Sequence, residues 1–141
     1  MSTLTLKTTI TFKAPIDKVW QGLTDPAMVK EYFFGTGLKS DWQVGGPITF
    51  SGEWEGHKYE DGGIILDIDP PKLLKYTYWS SMMGLENKPE NYYNITYDLS
   101  ENGGVTTLVI TQDGVKNQEA VDHSEQNWKS VFEGLKKMIE K

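Results

Sequence analysis

The chain opens with a regular alternation of side chains, which predicts a β-strand from Thr3 to Lys13. Every second residue is apolar or a threonine, while the residues between them are threonine or lysine. This period of two is typical of a strand that buries one face. The positions on the predicted buried face are Leu4, Leu6, Thr8, Ile10 and Phe12.

Two short helices are predicted directly after this strand. The period changes at Pro15, and the next apolar residues follow the i, i+3, i+4, i+7 spacing of a helix that ends near Leu23. Asp25 is a suitable N-cap for a second helix, Pro26 suits its first turn, and Gly35 suits its end. The apolar residues that define the first helix are Ile16, Val19, Trp20 and Leu23.

The central part of the chain, from Leu38 to Gln112, has the pattern of strands separated by tight turns. Glycine, proline and asparagine clusters mark the turns, and one of them is Gly62-Gly63. Short turns favour antiparallel neighbours. The longest connection, Ser81 to Asn91, is expected to be a mobile loop. The predicted strands are Ile48 to Gly52, Trp54 to Asp61, Gly63 to Ile68, Leu73 to Ser80, Tyr92 to Leu99 and Val105 to Gln112.

The last segment, about Asn117 to Glu140, is predicted to be one long helix because its apolar residues repeat every 3.6 positions. The order of elements is therefore strand, two short helices, about six further strands and a long helix. Because an antiparallel sheet has to bury one face, we expect the long helix to cover it. The fold class is α+β, and 141 residues correspond to a single domain, residues 1–141.

Several short motifs occur in an order and spacing that resemble a known family. The chain is similar to homologues of the activator of the heat-shock chaperone ATPase, in the birch-pollen-allergen or START-like (SRPBCC) superfamily. The motifs are Ala14-Pro15, Val19-Trp20, Leu23-Thr24-Asp25-Pro26, Val44-Gly45-Gly46, Gly63, Asp69-Pro70-Pro71, Leu74, Gly103-Gly104-Val105-Thr106-Thr107-Leu108 and Trp128.

The resemblance implies a helix-grip fold, in which a curved antiparallel sheet of about six or seven strands wraps around the C-terminal helix. It also implies a cavity between sheet and helix, and either a small bound molecule or a chaperone partner. In many relatives the last strand ends in Thr-His-x-Gly. The matching stretch here is Thr111-Gln112-Asp113-Gly114, which has Gln112 in place of the histidine.

Strand parity supports an interior site independently of the family. Counting every second residue places four tyrosines and one amide on the faces that are otherwise apolar. Buried phenols need hydrogen-bond partners, so this composition favours either a partly hydrated pocket or tyrosines that simply cover the sheet. The predicted ligand-binding residues are Tyr59, Tyr76, Tyr78, Tyr93, Ile95, Gln112, Trp128 and Phe132.

The predicted helix indicates which end of this pocket is open. Its C-terminal half, Leu135 to Ile139, has an apolar buried face, whereas Ser124 and Asn127 make the N-terminal half more polar. We therefore expect the closed end near Leu135 to Ile139 and the open mouth near Ser124 and the Met82-Met83 loop. Trp79 has the parity of the outer sheet face and is a candidate for a surface contact.

Composition excludes several classes of function. The chain has no cysteine, which rules out disulfides, thiolate metal sites and thiol catalysis. Its net charge is −6 and all of its basic residues are lysines, so nucleic acid and anionic membranes are poor partners. No apolar run is long enough to span a bilayer and no signal peptide is evident, so a cytoplasmic protein is expected.

The residues that could carry catalysis are few. His57 lies among acids, but no pair of ligands has a recognised metal spacing, so Glu53 to Asp61 is predicted to be a charged, solvated hairpin. Glu53 or Glu55 could point inward as a catalytic acid. The leading hypothesis is non-catalytic binding of a small, largely hydrophobic or aromatic molecule, without cofactor or metal. The alternatives are a chaperone-binding module and, less favoured, a cyclase- or hydrolase-type enzyme that uses the same cavity.

Overall fold

The computed structural model describes residues 4–32, 35–54, 56–79, 92–115 and 117–140. These residues form seven strands and three helices in the predicted order. The elements are β1 (Leu4–Phe12), α1 (Ile16–Thr24), α2 (Pro26–Tyr32), β2 (Gly37–Ser40), β3 (Pro47–Trp54), β4 (His57–Asp69), β5 (Leu73–Tyr78), β6 (Tyr93–Asn102), β7 (Val105–Val115) and α3 (Gln118–Ile139).

The seven strands form one antiparallel sheet in the order β1-β7-β6-β5-β4-β3-β2. The predicted parity of β5, β6 and β7 is confirmed, because the residues predicted for their inner faces are buried or half-buried. In β1 the prediction is wrong for Leu4, which is exposed because the register shifts between Leu4 and Leu6. One row of side chains crosses five strands on this inner face, and every member of the row is buried. The row consists of Ile65, Tyr76, Ile95, Gln112 and Leu6.

One predicted turn is wrong. Gly62 and Gly63 do not separate two strands but lie inside β4, which continues from His57 to Asp69. At this point β4 passes from its partner β3 to its partner β5, and a side chain would obstruct both. A Cβ atom built on Gly62 would collide with the carbonyl oxygen of Ile48, and one built on Gly63 would collide with Thr77. The hairpin turn lies earlier, around Gly56, which has φ +82°.

The long helix α3 covers the inner face, as predicted, and packs mainly against β1. Its N-terminus is capped by Asn117, whose side-chain oxygen accepts a hydrogen bond from the backbone N–H of Ala120 at 2.8 Å. Burial increases along the helix: Trp128 is partly exposed, whereas Leu135 and Ile139 are fully enclosed. The closed end of the core therefore lies near Leu135 and Ile139, as predicted.

The two short helices close the same end of the core. Gly22 of α1 faces Leu135 so closely that a Cβ atom there would overlap the leucine side chain. Tyr32 of α2 donates a hydrogen bond from its hydroxyl to the carbonyl oxygen of Gly22 at 2.8 Å. Within the described ranges, none of the helices is both long and apolar enough to cross a bilayer.

Candidate functional site

Polar groups collect on the inner face at one end of the sheet, which we call the mouth end. Here β5 ends at Tyr78 opposite Tyr93, where β6 begins, and β7 brings Gln112 alongside. The N-terminal half of α3, which contains Trp128, lies over this end. Residues 80–91, which hold the predicted mobile loop and the Met82-Met83 part of the expected mouth, lie outside the described residues.

The carboxylate of Asp61 is buried at the mouth end, with only 7% of the residue exposed. Asp61 lies opposite Phe50 in the β3–β4 ladder, so its side chain belongs to the inner face. The hydroxyl of Tyr78 donates a hydrogen bond to its Oδ2 at 3.1 Å. This arrangement satisfies one acceptor of a charge that would be costly to bury without partners.

Asp61 corrects the sequence interpretation, which placed it in a solvated hairpin and looked for an inward acid at Glu53 or Glu55. The error has the same origin as the misplaced turn. Once β4 is continuous through Gly62, the parity of Ile65 extends back to Asp61 and predicts that it points inward. Glu55 and the side chains of Glu53 and His57 lie outside the described part of the chain.

Tyr76 and Tyr97 form a buried pair in the middle of the sheet. Their hydroxyl oxygens are 2.9 Å apart, and their rings meet edge to face with centroids 5.6 Å apart. Burial is the main reason why the pKa of each phenol is raised well above its usual value. The two phenols therefore stay neutral and act as hydrogen-bond partners for each other.

Trp128 links the helix to the sheet at the mouth end. Its indole Nε1 donates a hydrogen bond to Oε1 of the buried Gln112 at 2.9 Å. Its ring is stacked on that of Phe132, with centroids 5.8 Å apart and an angle of 6° between the ring planes. Tyr97 contacts both of these rings edge to face, at centroid distances of 6.0 Å.

Seven of the eight predicted ligand-binding residues therefore lie on or against one inner surface. Tyr76, Ile95 and Phe132 are almost completely buried, whereas Tyr78, Tyr93 and Trp128 are partly exposed. Partial burial also raises the pKa of Tyr93. Tyr59, the eighth, belongs to β4, but its side chain lies outside the described part of the structure.

A small void lies in the interior beneath the two short helices. The described residues enclose a void of about 10 Å³ between the sheet and the short helices. This is room for about one water molecule. The void is lined by Leu23, Val29, Tyr32, Leu38, Ile48, Phe50, Leu74, Tyr76 and Tyr97.

A family model described as "Activator of Hsp90 ATPase homolog 1-like protein" matches residues 13–140. The chain belongs to this family. A structural relative in the same fold is ChR145 from Cytophaga hutchinsonii, with 38% sequence identity and a TM-score of 0.86 over 99% of this chain and 96% of that one. A comparison with curated proteins gave no match.

More distant structures share the fold of the activator-homologue family. MLL2253 from Mesorhizobium loti is 23% identical, with a TM-score of 0.77 over 97% of each chain. CalU16 from Micromonospora echinospora is 24% identical, with a TM-score of 0.72 over 96% of this chain and 75% of that one. At this level of identity these likenesses show the fold alone, a curved antiparallel sheet covered by the C-terminal helix.

Within this family member, the described residues do not bring three or more potential metal ligands together. His123 lies exposed on α3, away from the inner face. Gln112, which occupies the histidine position of the Thr-His-x-Gly motif, is buried and bonded to Trp128. The polar groups described at the mouth end are thus one amide, phenols, an indole and one carboxylate, which can orient a molecule through hydrogen bonds.

Proposed function

We propose that this protein is a non-catalytic binding protein for a small, largely hydrophobic or aromatic molecule, which it holds at the mouth end. One observation carries the proposal: the partly exposed rings of Tyr78, Tyr93 and Trp128 adjoin the buried polar groups Asp61 and Gln112. An apolar surface with a few fixed polar groups is the usual composition of a small-molecule site.

The proposal assigns different roles to the outer and inner members of the predicted set. Tyr78, Tyr93 and Trp128 would contact the molecule, and burial of its apolar surface would contribute roughly 25 cal/mol per Å². Tyr76 and Phe132 would support these rings from behind, because they are already enclosed by the core. The 10 Å³ void between the sheet and the short helices is too small for such a molecule, which favours binding at the mouth end.

The hydrogen bonds at the mouth end favour recognition over chemistry. Asp61 accepts from Tyr78, and Gln112 accepts from Trp128, so each of these rings is held in one orientation. A binding surface of fixed rings loses little side-chain entropy when it meets a ligand. The phenol of Tyr93 is the group best placed to exchange a hydrogen bond with the bound molecule.

A ligand screen tests the proposal. Thermal-shift measurements and ligand-observed NMR would be run with fatty acids, isoprenoid alcohols and polycyclic aromatics, and we expect one class to raise the melting temperature by several degrees. The Trp128→Leu and Tyr93→Ala variants should each weaken that binding by about tenfold, because each loses a ring contact worth about 1.4 kcal/mol. Mass spectrometry should recover the molecule unchanged.

Gln126→Ala provides the matched control, since Gln126 is exposed on the same helix as Trp128. This variant should bind the same molecule with the same affinity as the unmodified protein. If none of the three classes shifts the melting temperature or broadens a ligand signal at millimolar concentration, the binding proposal is wrong. Turnover of the bound molecule would instead make the protein an enzyme.

A further inference from the structure

A second concave surface lies where β3, β4 and the residue after β5 meet, on the side of the sheet that Thr49 and Trp79 face. We call it the outer groove. Its volume is about 210 Å³, and Thr49, Glu60, Gly62, Trp79 and Tyr92 are among the residues that line it. This volume is below the range of drug-sized pockets, so the groove suits a compact ligand.

Strand parity assigns the side chains of Thr49, Glu60 and Trp79 to the outer groove, which Ile48 and Asp61 of the inner face also border. Thr49 pairs with Gly62 between β3 and β4, and Gly62 forms an isolated bridge with Trp79. Their sequence neighbours Phe50 and Tyr78 point to the inner face, where the two rings contact each other. Side chains of Thr49 and Trp79 therefore lie on the opposite face.

The floor of the outer groove is backbone, because Gly62 has no side chain. Trp79 is held beside this floor by two hydrogen bonds: its N–H donates to the carbonyl oxygen of Gly62 at 3.0 Å, and its own carbonyl accepts from the N–H of Gly62 at 2.9 Å. The indole Nε1 of Trp79 is buried, without a hydrogen-bond partner among the described residues. Trp79 therefore lines the groove with the polar edge of its indole enclosed.

The charge of the outer groove is negative. Glu60 is an exposed carboxylate at the groove. Asp61 also borders the groove, but its carboxylate lies on the inner face and accepts a hydrogen bond from Tyr78. The described lining residues include no lysine. The net charge of −6 adds to the attraction for a cation.

We propose that the outer groove binds a small organic ammonium ion. The rings of Trp79 and Tyr92 supply aromatic surface for a cation–π interaction, and the carboxylate of Glu60 neutralises the charge from the rim. Aromatic side chains combined with a carboxylate distinguish an ammonium ion from a neutral molecule of the same shape. The proposal does not depend on the ligand of the mouth end.

Choline and its neutral isostere 3,3-dimethylbutan-1-ol provide the test. Titration of the full chain, followed by backbone-amide NMR and calorimetry, should give saturable binding of choline with shifts around Gly62 and Trp79. The neutral isostere should bind at least fivefold more weakly, because it lacks the charge. Added salt should weaken choline binding, because Glu60 is exposed.

Two variants test whether choline binds in the outer groove. Trp79→Leu should weaken choline binding about fivefold or more through loss of the cation–π contact. Glu60→Gln should weaken it about twofold to fivefold, as expected for an exposed ion pair, and its exposed position leaves the fold intact. Glu119→Gln, an exposed acid on α3, should change nothing. Equal binding of choline and its isostere, or unchanged choline binding in Glu60→Gln, would overturn the proposal.

Discussion

At the scale of single residues, the hydroxyl groups of Tyr76 and Tyr97 are hydrogen-bonded to each other inside the core. Removal of one hydroxyl leaves the other buried without this partner. We therefore expect Tyr76→Phe and Tyr97→Phe each to lower the free energy of unfolding by about 1–3 kcal/mol. The double variant should lose clearly less than the sum of the two, because it leaves neither hydroxyl behind.

Urea unfolding of the two single variants and the double variant measures this coupling. Tyr93→Phe is the control, because Tyr93 is partly exposed and water can replace its partner. Additive losses in the double variant would show that the two hydroxyls do not depend on each other.

The sequence predicted which residues share the inner face, but not which of their polar groups form hydrogen bonds. Parity correctly placed Tyr76, Tyr97 and Gln112 on one face, since a strand alternates its side chains. It did not predict which polar groups pair, because the hydrogen bond from Trp128 to Gln112 depends on how far α3 lies from the sheet. Such a distance arises from packing between remote elements and leaves no local signal.

At the scale of elements, the continuity of β4 depends on Gly62. This residue has φ +144°, a backbone conformation that residues with a side chain rarely adopt, and a Cβ atom would also collide with the carbonyl oxygen of Ile48. We expect Gly62→Ala to lower the free energy of unfolding by about 3 kcal/mol, the sum of backbone strain and steric overlap.

Gly45→Ala separates the two contributions. Gly45 also has a positive φ, +84°, but no atom lies within 4 Å of where its Cβ would be. This variant should lose only the strain energy, about 1 kcal/mol. Denaturant unfolding of both variants compares the losses, and equal values would mean that the contact with Ile48 has no energetic effect.

Gly62 also explains why β4 was predicted to end at Asp61, whereas the bounds of α3 were predicted correctly. The bounds of α3 follow from a long apolar period and an asparagine cap, which are local signals. A glycine pair fits a hairpin turn and a crowded strand equally well. What decides between them is the carbonyl of Ile48 and the side chain of Thr77, which come from two other strands.

At the scale of the whole molecule, three buried phenols make stability sensitive to alkaline pH. Burial raises the pKa of Tyr32, Tyr76 and Tyr97 above the unfolded value of 10.0. Above pH 10 the unfolded chain releases these protons and the folded chain retains them. Stability is therefore fully present below pH 10 and falls as the pH rises from there through the folded pKa values.

Urea unfolding at a series of pH values between 7 and about 11.5 measures this dependence. The Tyr76→Phe/Tyr97→Phe variant should lose stability less steeply above pH 10, because two of the three phenols are gone. The two proteins differ only in these two hydroxyl groups, so the difference in slope isolates the phenols. Identical slopes would contradict the assignment.

The general architecture was predictable at this scale, and the interior space was not. An amphipathic helix after an antiparallel sheet has to cover its apolar face, which fixes the helix-grip arrangement. The free volume beneath the helix depends on how closely rings such as Tyr97, Trp128 and Phe132 pack against one another. Differences of less than an ångström decide that volume, and residue types do not encode them.

The position of β1 at the edge of the sheet has a consequence for biosynthesis. Its neighbour in the sheet is β7, and a contact such as that between Thr5 and Asp113 joins residues 108 positions apart. A ribosome therefore releases the first strand long before its partner exists, and the nascent chain can complete the sheet only after β7 has emerged. Closing so long a loop is entropically costly, so we infer that docking of the N-terminal strand is a late event in folding.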